Sequence, residues 1–254
     1  MDLQDKVVII TGGGRGIGAA TAELCARHGA KVVVSDIRTD WGADVVNKIQ
    51  KDGGEACFFE GDVSKEASVE ALVKFAVDTY GKLDGIVNNA ATIVVKKAAD
   101  ITAEEWNKVI SVNLTGVFYG CKHAIRQFQA QGGGGSIVNI GSISAVVGLP
   151  EQAVYCASKG GVFQLTRQIA IDYAAENIRC NTIGPGSVDG DFLKIYLDSQ
   201  SNPDQAEQNI LDAHPIGRLA DPFEIAEPIM FLLSDRSSFV TGANLQVDGG
   251  YSAI

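Results

Sequence analysis

What most constrains the fold of this 254-residue chain is a strict alternation of short apolar runs with longer amphipathic stretches. Residues 7–10, 31–35, 56–60, 83–87, 136–140, 179–183 and 244–247 read as strands. Residues 16–28, 41–51, 68–80, 103–129, 152–176 and 222–233 read as helices. Strands separated by helical crossovers imply a parallel sheet covered on both faces. The near-continuous apolar character of the central runs is what burial on both faces demands. The pattern predicts a doubly wound α/β fold of about seven strands, the Rossmann arrangement, as one domain over residues 1–254. No Pro- or Ser-rich linker divides it, and Gly-rich 132–135 reads as a loop between helix and strand. From 187 to 214 the rhythm breaks into short helical patterns rich in Asp, Gln and Asn, which predicts an insertion rather than a second domain.

The first run passes through Thr11-Gly12-Gly13-Gly14-Arg15-Gly16-Ile17-Gly18 into a helical pattern. A glycine-rich turn there lets the backbone approach a pyrophosphate, which the helix N-terminus then stabilises. Taken alone, such a turn reads as well as a flexible loop. An acidic residue ending the second run changes the balance: Asp36 lies 18 positions beyond Gly18, near the ~20 expected of a carboxylate that holds ribose hydroxyls. That carboxylate would repel a 2′-phosphate, so the expected cofactor is NAD rather than NADP. Arg15 and Arg38 are the cations that work against this reading.

Composition excludes other classes of function. A net charge of −10 and a pI near 4.8 argue against nucleic acid or an anionic membrane surface as partner. No run approaches the roughly 18 apolar residues of a membrane span, and residues 7–10 are too short for a signal-peptide core. The 5 cysteines are scattered, with no metal or redox spacing, and are expected as free thiols in a reducing cytoplasm. His28, His123 and His214 form no metal or triad pattern, so no metal is expected. His214, just before Pro215, reads as a surface residue.

Further along stand Asn88-Asn89-Ala90-Ala91, Asn113, Ser142 and Tyr155-Cys156-Ala157-Ser158-Lys159, in that order. Tyr-x-x-x-Lys alone arises by chance in about one such chain in three, so it carries weight only in company. Taken with the glycine turn, with Gly61-Asp62-Val63 and with Ile183-Gly184-Pro185-Gly186, these motifs resemble the short-chain dehydrogenase/reductase family from Lys6 to Gly250. The resemblance is to its single-domain branch of about 250 residues, which includes 3-oxoacyl-thioester reductases and small secondary-alcohol or sugar dehydrogenases.

Tyr155 and Lys159, four apart on a predicted helix, share one face. A tyrosine of pKa near 10 is a poor base at neutral pH, and a neighbouring ammonium is expected to lower it. The resemblance implies Tyr155 as general base in alcohol oxidation and general acid in ketone reduction, Lys159 on the nicotinamide ribose, Ser142 orienting the substrate oxygen, and Asn113 holding a proton-relay water. Unaided, Asn113 reads equally as a helix-interior polar residue bonded to nearby backbone. For the cofactor, the resemblance implies Gly12, Arg15, Gly16, Ile17 and Gly18 at the phosphates, Asp36 at the ribose, and Asp62 and Val63 at the adenine. It also implies Asn89 and Ala90 at the adenosine ribose, and Pro185, Gly186 and Val188 around the nicotinamide. Two positions depart from the family: Ala91 replaces a glycine, and Gly190 stands where a threonine often bonds the carboxamide. Ser187 or backbone groups are expected to substitute for that threonine.

The expected substrate wall comprises residues 93–95 and 144–149, Gln152 and the insertion, with Ser142, Ser144, Gln152, Tyr155, Phe192 and Tyr196 as candidate contacts. Phe192, Ile195 and Tyr196 read either as the inner face of a lid or as the packing of a surface excursion. Only Lys194 is basic between 187 and 214, which disfavours phosphorylated or polycarboxylate substrates. The expected reaction is hydride transfer between NAD and a small secondary alcohol or ketone. A 3-oxoacyl-thioester reductase is the alternative, and a catalytically inactive NAD-sensing protein is a further one. By the same resemblance a homo-oligomer, tetramer or dimer, is expected through helices 103–129 and 152–176, with 246–251 as an interface tail.

Overall fold

The computed structural model describes residues 2–253. Seven strands form one parallel sheet: β1 (Val7–Thr11), β2 (Lys31–Asp36), β3 (Glu55–Glu60), β4 (Gly85–Asn88), β5 (Gly135–Ile140), β6 (Ile178–Pro185) and β7 (Asn244–Val247). Their spatial order is β3-β2-β1-β4-β5-β6-β7. This is the doubly wound arrangement expected from the alternation. Order reverses between β1 and β4, and the carboxyl ends of strands flanking such a switch point are where open α/β sheets bind ligands.

Alternate residues of each strand feed opposite faces. Val8 and Ile10 of β1 pack with α1 (Gly16–Arg27), α2 (Thr39–Lys51) and α9 (Pro222–Leu233). Ile9 faces the other way, into α3 (Glu66–Tyr80), α5 (Gly116–Gln131) and α6 (Ala153–Tyr173).

The stretch 103–129, expected as one helix, is instead α4 (Ala103–Ile110), a π-helical turn (Ser111–Thr115) and α5. Gly116 N–H donates to Ser111 O across that turn. π turns inside helices are rare and often mark functional sites, and the buried residue of this one is Asn113. Gly116 follows it directly, packed so closely that a Cβ there would lie 3.0 Å from Val63. Helix α6 likewise gives way to a 3₁₀ turn (Ala174–Glu176) before Asn177 ends it in the left-handed conformation.

The insertion forms α7 (Asp191–Asp198) and α8 (Pro203–Asp212), neither with a buried residue. Three contacts tie its ends down: Arg15 to Asp191 at 3.3 Å, a β-bridge between Val188 and Ala220, and the Ser187 amide to His214 Nε2 at 3.1 Å. No helix among the described residues is long and apolar enough to cross a membrane, and all five cysteines are free.

Candidate active site

The glycine turn closes on itself because two of its residues cannot carry a side chain. A Cβ on Gly18 would stand 2.1 Å from Gly12 O, and Gly12 itself has φ +61° with Ala90 Cα 2.8 Å away. Gly16, at φ +52°, faces open space. Helix α1 starts there with no side-chain cap and no acidic residue in its first turn. Its leading amides, with Ile17 among them, are therefore available to an anion. The cradle is braced from behind. Thr11 Oγ1 donates to Val87 O (3.3 Å) and accepts from the amides of Asn89 (3.0 Å) and Ala90 (3.2 Å). Asn89 Nδ2 donates to Thr11 O and Gly12 O at 3.0 and 2.9 Å. The Asn89 amide nitrogen is thus spent on the loop, which leaves its oxygen for a ribose.

At the end of β2, Asp36 accepts from Gly14 N and Arg38 N, both at 3.0 Å. The two cations that complicated the cofactor reading are both engaged. Arg38 forks onto Asp40 at 3.1 and 2.9 Å, and Arg15 pairs with Asp191. The Arg15 and Arg38 guanidiniums also lie over the Trp41 ring, 3.7 and 4.5 Å from its centroid respectively. Asp62 Oδ1 accepts from Ser64 N and Oγ at 2.9 and 2.7 Å, so Asp62 is held in the turn before α3. These residues fit a dinucleotide: a cradle too tight for any Cβ at Gly18, an uncapped helix start and a fixed carboxylate one strand away.

At the other side of the switch point, Ser142 follows β5 and Tyr155 and Lys159 project from α6. Lys159 is buried, 2 % exposed, and its Nζ donates to Ile140 O at 2.7 Å. Burial pushes its ammonium down to about 8. Burial pushes the Tyr155 phenol up to about 12, opposed by the neighbouring Ser142 hydroxyl. This corrects the expectation that Lys159 lowers the phenol. The ammonium stands 5.6 Å from the ring centroid and is turned to a backbone carbonyl, so desolvation dominates both groups.

Asn113 is fully buried. Its Oδ1 accepts from Thr92 N at 2.8 Å, and its Nδ2 donates to Thr92 O (2.9 Å) and Ser158 Oγ (3.2 Å). The side chain therefore fastens the segment after β4 to the π turn and α6. Its side-chain oxygen and both amide hydrogens are thus committed to protein partners.

Ser142 Oγ also accepts from Ser144 N at 3.1 Å. Ser144 Oγ is buried with no hydrogen-bond partner, an orphan that a substrate oxygen could satisfy. Gln152 sits at the start of α6, bridged to Lys96. Phe192 of α7 reaches the site, its ring centroid 6.2 Å from that of Tyr155. Tyr196 has no aromatic contact with Tyr155 among the described residues. Phe192 thus sets α7, a helix with no buried residue, against the Tyr155 ring.

After β6, Gly186 N–H donates to Val247 O (3.1 Å) and Asp189 N–H to Ala220 O (3.0 Å). Ser187 N–H donates to His214 Nε2 at 3.1 Å. His214 is therefore no surface residue: it is 3 % exposed, the second correction. Gly190 has φ 162°, which is extended backbone, with nothing within 4 Å of a Cβ. Sequence reasoning assigned no part to Thr11, Trp41, Ser158 or His214. Thr11 alone carried a signal, being the last residue before the glycine turn.

Comparison with known proteins places this arrangement. A family model described as "Enoyl-(Acyl carrier protein) reductase" matches residues 12–252. The 2-(S)-hydroxypropyl-CoM dehydrogenase 3 of Xanthobacter autotrophicus is 39% identical over 252 residues, 99% of this chain and 98% of the relative. The cyclohexanol dehydrogenase of an Acinetobacter strain is 40% identical over 250 residues, 98% of this chain and 96% of the relative. A crystal structure of a protein assigned as a short-chain alcohol dehydrogenase from Sinorhizobium meliloti superposes with a TM-score of 0.93 at 32% identity, covering 99% of this chain and 98% of that one.

Proposed function

The chain belongs to the short-chain dehydrogenase/reductase family, and we propose that it is an NAD-dependent dehydrogenase of small secondary alcohols in which Tyr155 moves the proton. It is an oxidoreductase of the alcohol-acting kind, served by a nicotinamide cofactor. The observation that carries the finer reading is the Tyr155 ring set 6.2 Å from the Phe192 ring of α7 and one helical turn before buried Lys159. Asp36 favours NAD, with Arg15 and Arg38 held by their own carboxylates. A bound nicotinamide would supply the hydride acceptor for oxidation and the donor for reduction.

The chain does the rest. In reduction the neutral phenol gives its proton from Oη to the carbonyl oxygen, and in oxidation the phenolate takes one back. Positioned transfer of this kind contributes roughly 10²–10⁴-fold. Ser142 Oγ orients the reacting oxygen, and Lys159, one turn along α6, turns its Nζ from Ile140 O to a ribose hydroxyl when the cofactor binds. Ser144, Gln152 and Tyr196 line the substrate. The scarcity of cations around the lid and the cyclohexanol dehydrogenase relative both favour a neutral, alicyclic or branched secondary alcohol. The description of the matching family model keeps a thioester substrate as a second reading, against which stands the net charge of −10. Exposed Trp106, Phe118 and Ile171 along α4, α5 and α6 support a homo-oligomer through that face.

The test is a panel of cyclic and linear secondary alcohols, their ketones and a 3-oxoacyl thioester, run with NAD(H) and NADP(H) and followed by nicotinamide absorbance. Tyr155→Phe is expected to lower turnover by at least about 100-fold with NADH affinity within about twofold. Turnover confined to NADP(H) or to the thioester, or a fully active Tyr155→Phe, overturns the reading.

A further inference from the structure

Four consecutive peptide units, Pro185–Gly186 through Val188–Asp189, are each gripped from outside the loop they form. Gly186 N–H goes to Val247 O, Asp189 N–H to Ala220 O, and Ser187 O accepts from Ala220 N at 3.0 Å. The remaining grip, on Ser187 N–H, is the only one made by a side chain: His214 Nε2. The other nitrogen of that ring, Nδ1, lies 2.7 Å from Ile210 O in α8. A backbone amide only donates and a carbonyl only accepts, so the ring is neutral with its proton on Nδ1. The Tyr251 ring meets it edge-on at 5.1 Å. A Cβ on Gly186 would lie 2.8 Å from Nε2, so the imidazole backs directly onto the loop.

In a trans peptide the C=O and N–H point in opposite directions. Ser187 C=O is turned to Ala220, so Val188 N–H faces away from it, and that amide has no partner among the described residues. Among the four peptide units it is the free donor, two residues before Gly190, which offers no hydroxyl. Ser187 itself is held by backbone on one side and by His214 on the other.

Resting on the reading of this site as a nicotinamide pocket, we propose that His214 is a positioning residue for the nicotinamide end of the cofactor. It fixes the Gly186–Ser187 peptide, and through it the angle at which the Val188 amide is presented. Through Ile210 it ties that angle to the α8 end of the lid, so lid and cofactor loop share one hydrogen-bonded hinge.

Two substitutions separate the bonds. His214→Gln sets an acceptor where Nε2 stands, whereas His214→Asn keeps a donor for Ile210 O and leaves Ser187 N–H unmade. Binding of NADH, read by its fluorescence, is compared with binding of ADP-ribose, which lacks the nicotinamide. The expected result is an NADH Kd about tenfold weaker for His214→Asn, the cost of one buried bond. NADH binding by His214→Gln and ADP-ribose binding by both variants should stay within about twofold of the wild type. Equal NADH losses for Asn and Gln, or parallel losses for ADP-ribose, overturn the proposal, because they are what general loosening of the fold would give. Hydrogen exchange at the Ser187 amide of the wild-type protein provides a readout that needs no variant: protection supports the clamp, and exchange at the open-chain rate overturns it. A wild-type protein that binds neither nucleotide removes the cofactor reading itself, and the proposal with it.

Discussion

Lys159 makes the buried half of the candidate site a stability liability, and replacing it with methionine measures how large. In an open chain its ammonium titrates at 10.5, in the folded protein at about 8. Between those values the unfolded chain holds a proton that the folded one has lost, so stability rises with pH from about 8 to 10.5 and is lowest below 8. At about 1.4 kcal/mol per pH unit, burying the charge costs about 3 kcal/mol at pH 7. Lys159→Met removes that cost and also removes the bond from Nζ to Ile140 O, whose loss leaves a buried carbonyl unpaired at about 1–2 kcal/mol. The balance is a gain of about 1–2 kcal/mol at pH 7, or roughly 2–8 °C in Tm for a chain of this size. Thermal melts of the cofactor-free protein and the variant at pH 7 and pH 10.5 test both sign and shape. The advantage should shrink or reverse at the higher pH, where neither chain pays for a charged lysine. A variant that melts lower at pH 7, or whose advantage is the same at both pH values, would refute the reasoning.

Three further outcomes follow from the geometry. Asp36→Asn should weaken NADH by about tenfold or more, the value of a charge-assisted bond, and narrow the gap to NADPH; an unchanged ratio of the two Kd values contradicts the role given to the carboxylate. Gly190→Thr has open space and ordinary backbone and also places a hydroxyl at the N-cap of α7, so NADH should bind about two- to fivefold tighter with ADP-ribose unaffected, as titration of both ligands will show. Ile171, 77 % exposed on α6, should lie in a contact between copies: light scattering after size exclusion is expected to give an oligomer for the wild type and a smaller species for Ile171→Glu, and a monomeric wild type excludes that face.

The sheet was legible because its strands are apolar runs long enough to be buried on both faces. β7 was expected with its observed bounds, and β1 to β6 within two residues at each end. Helices read equally well wherever propensity and packing agree, as in α9. Reading failed at residues 111–115, where a helical pattern continues but the hydrogen bonding does not. The cause is tertiary: Asn113 bonds the Thr92 backbone from another segment, and no local pattern records a partner 21 residues away. His214 escaped for the same reason, since its partners are one amide 27 residues back and one carbonyl four residues back.

The candidate site divides along the same line. Spacing said which side chains could meet, and Tyr155, Lys159 and Ser142 do occupy one end of the sheet. Spacing did not say what charge they would carry. The four-residue interval suggested an ammonium beside a phenol and hence a lowered phenol. But Nζ turns to Ile140 O, and burial then moves each group toward its neutral form, Lys159 downward and Tyr155 upward. A neutral phenol is the form that gives a proton away, which suits reduction as it stands. Oxidation needs the phenolate, and within the chain only the Ser142 hydroxyl opposes burial on its behalf. In the proposed mechanism the balance between phenol and phenolate therefore turns on how closely α7 and α8 cover Tyr155, a property of packing that no motif encodes.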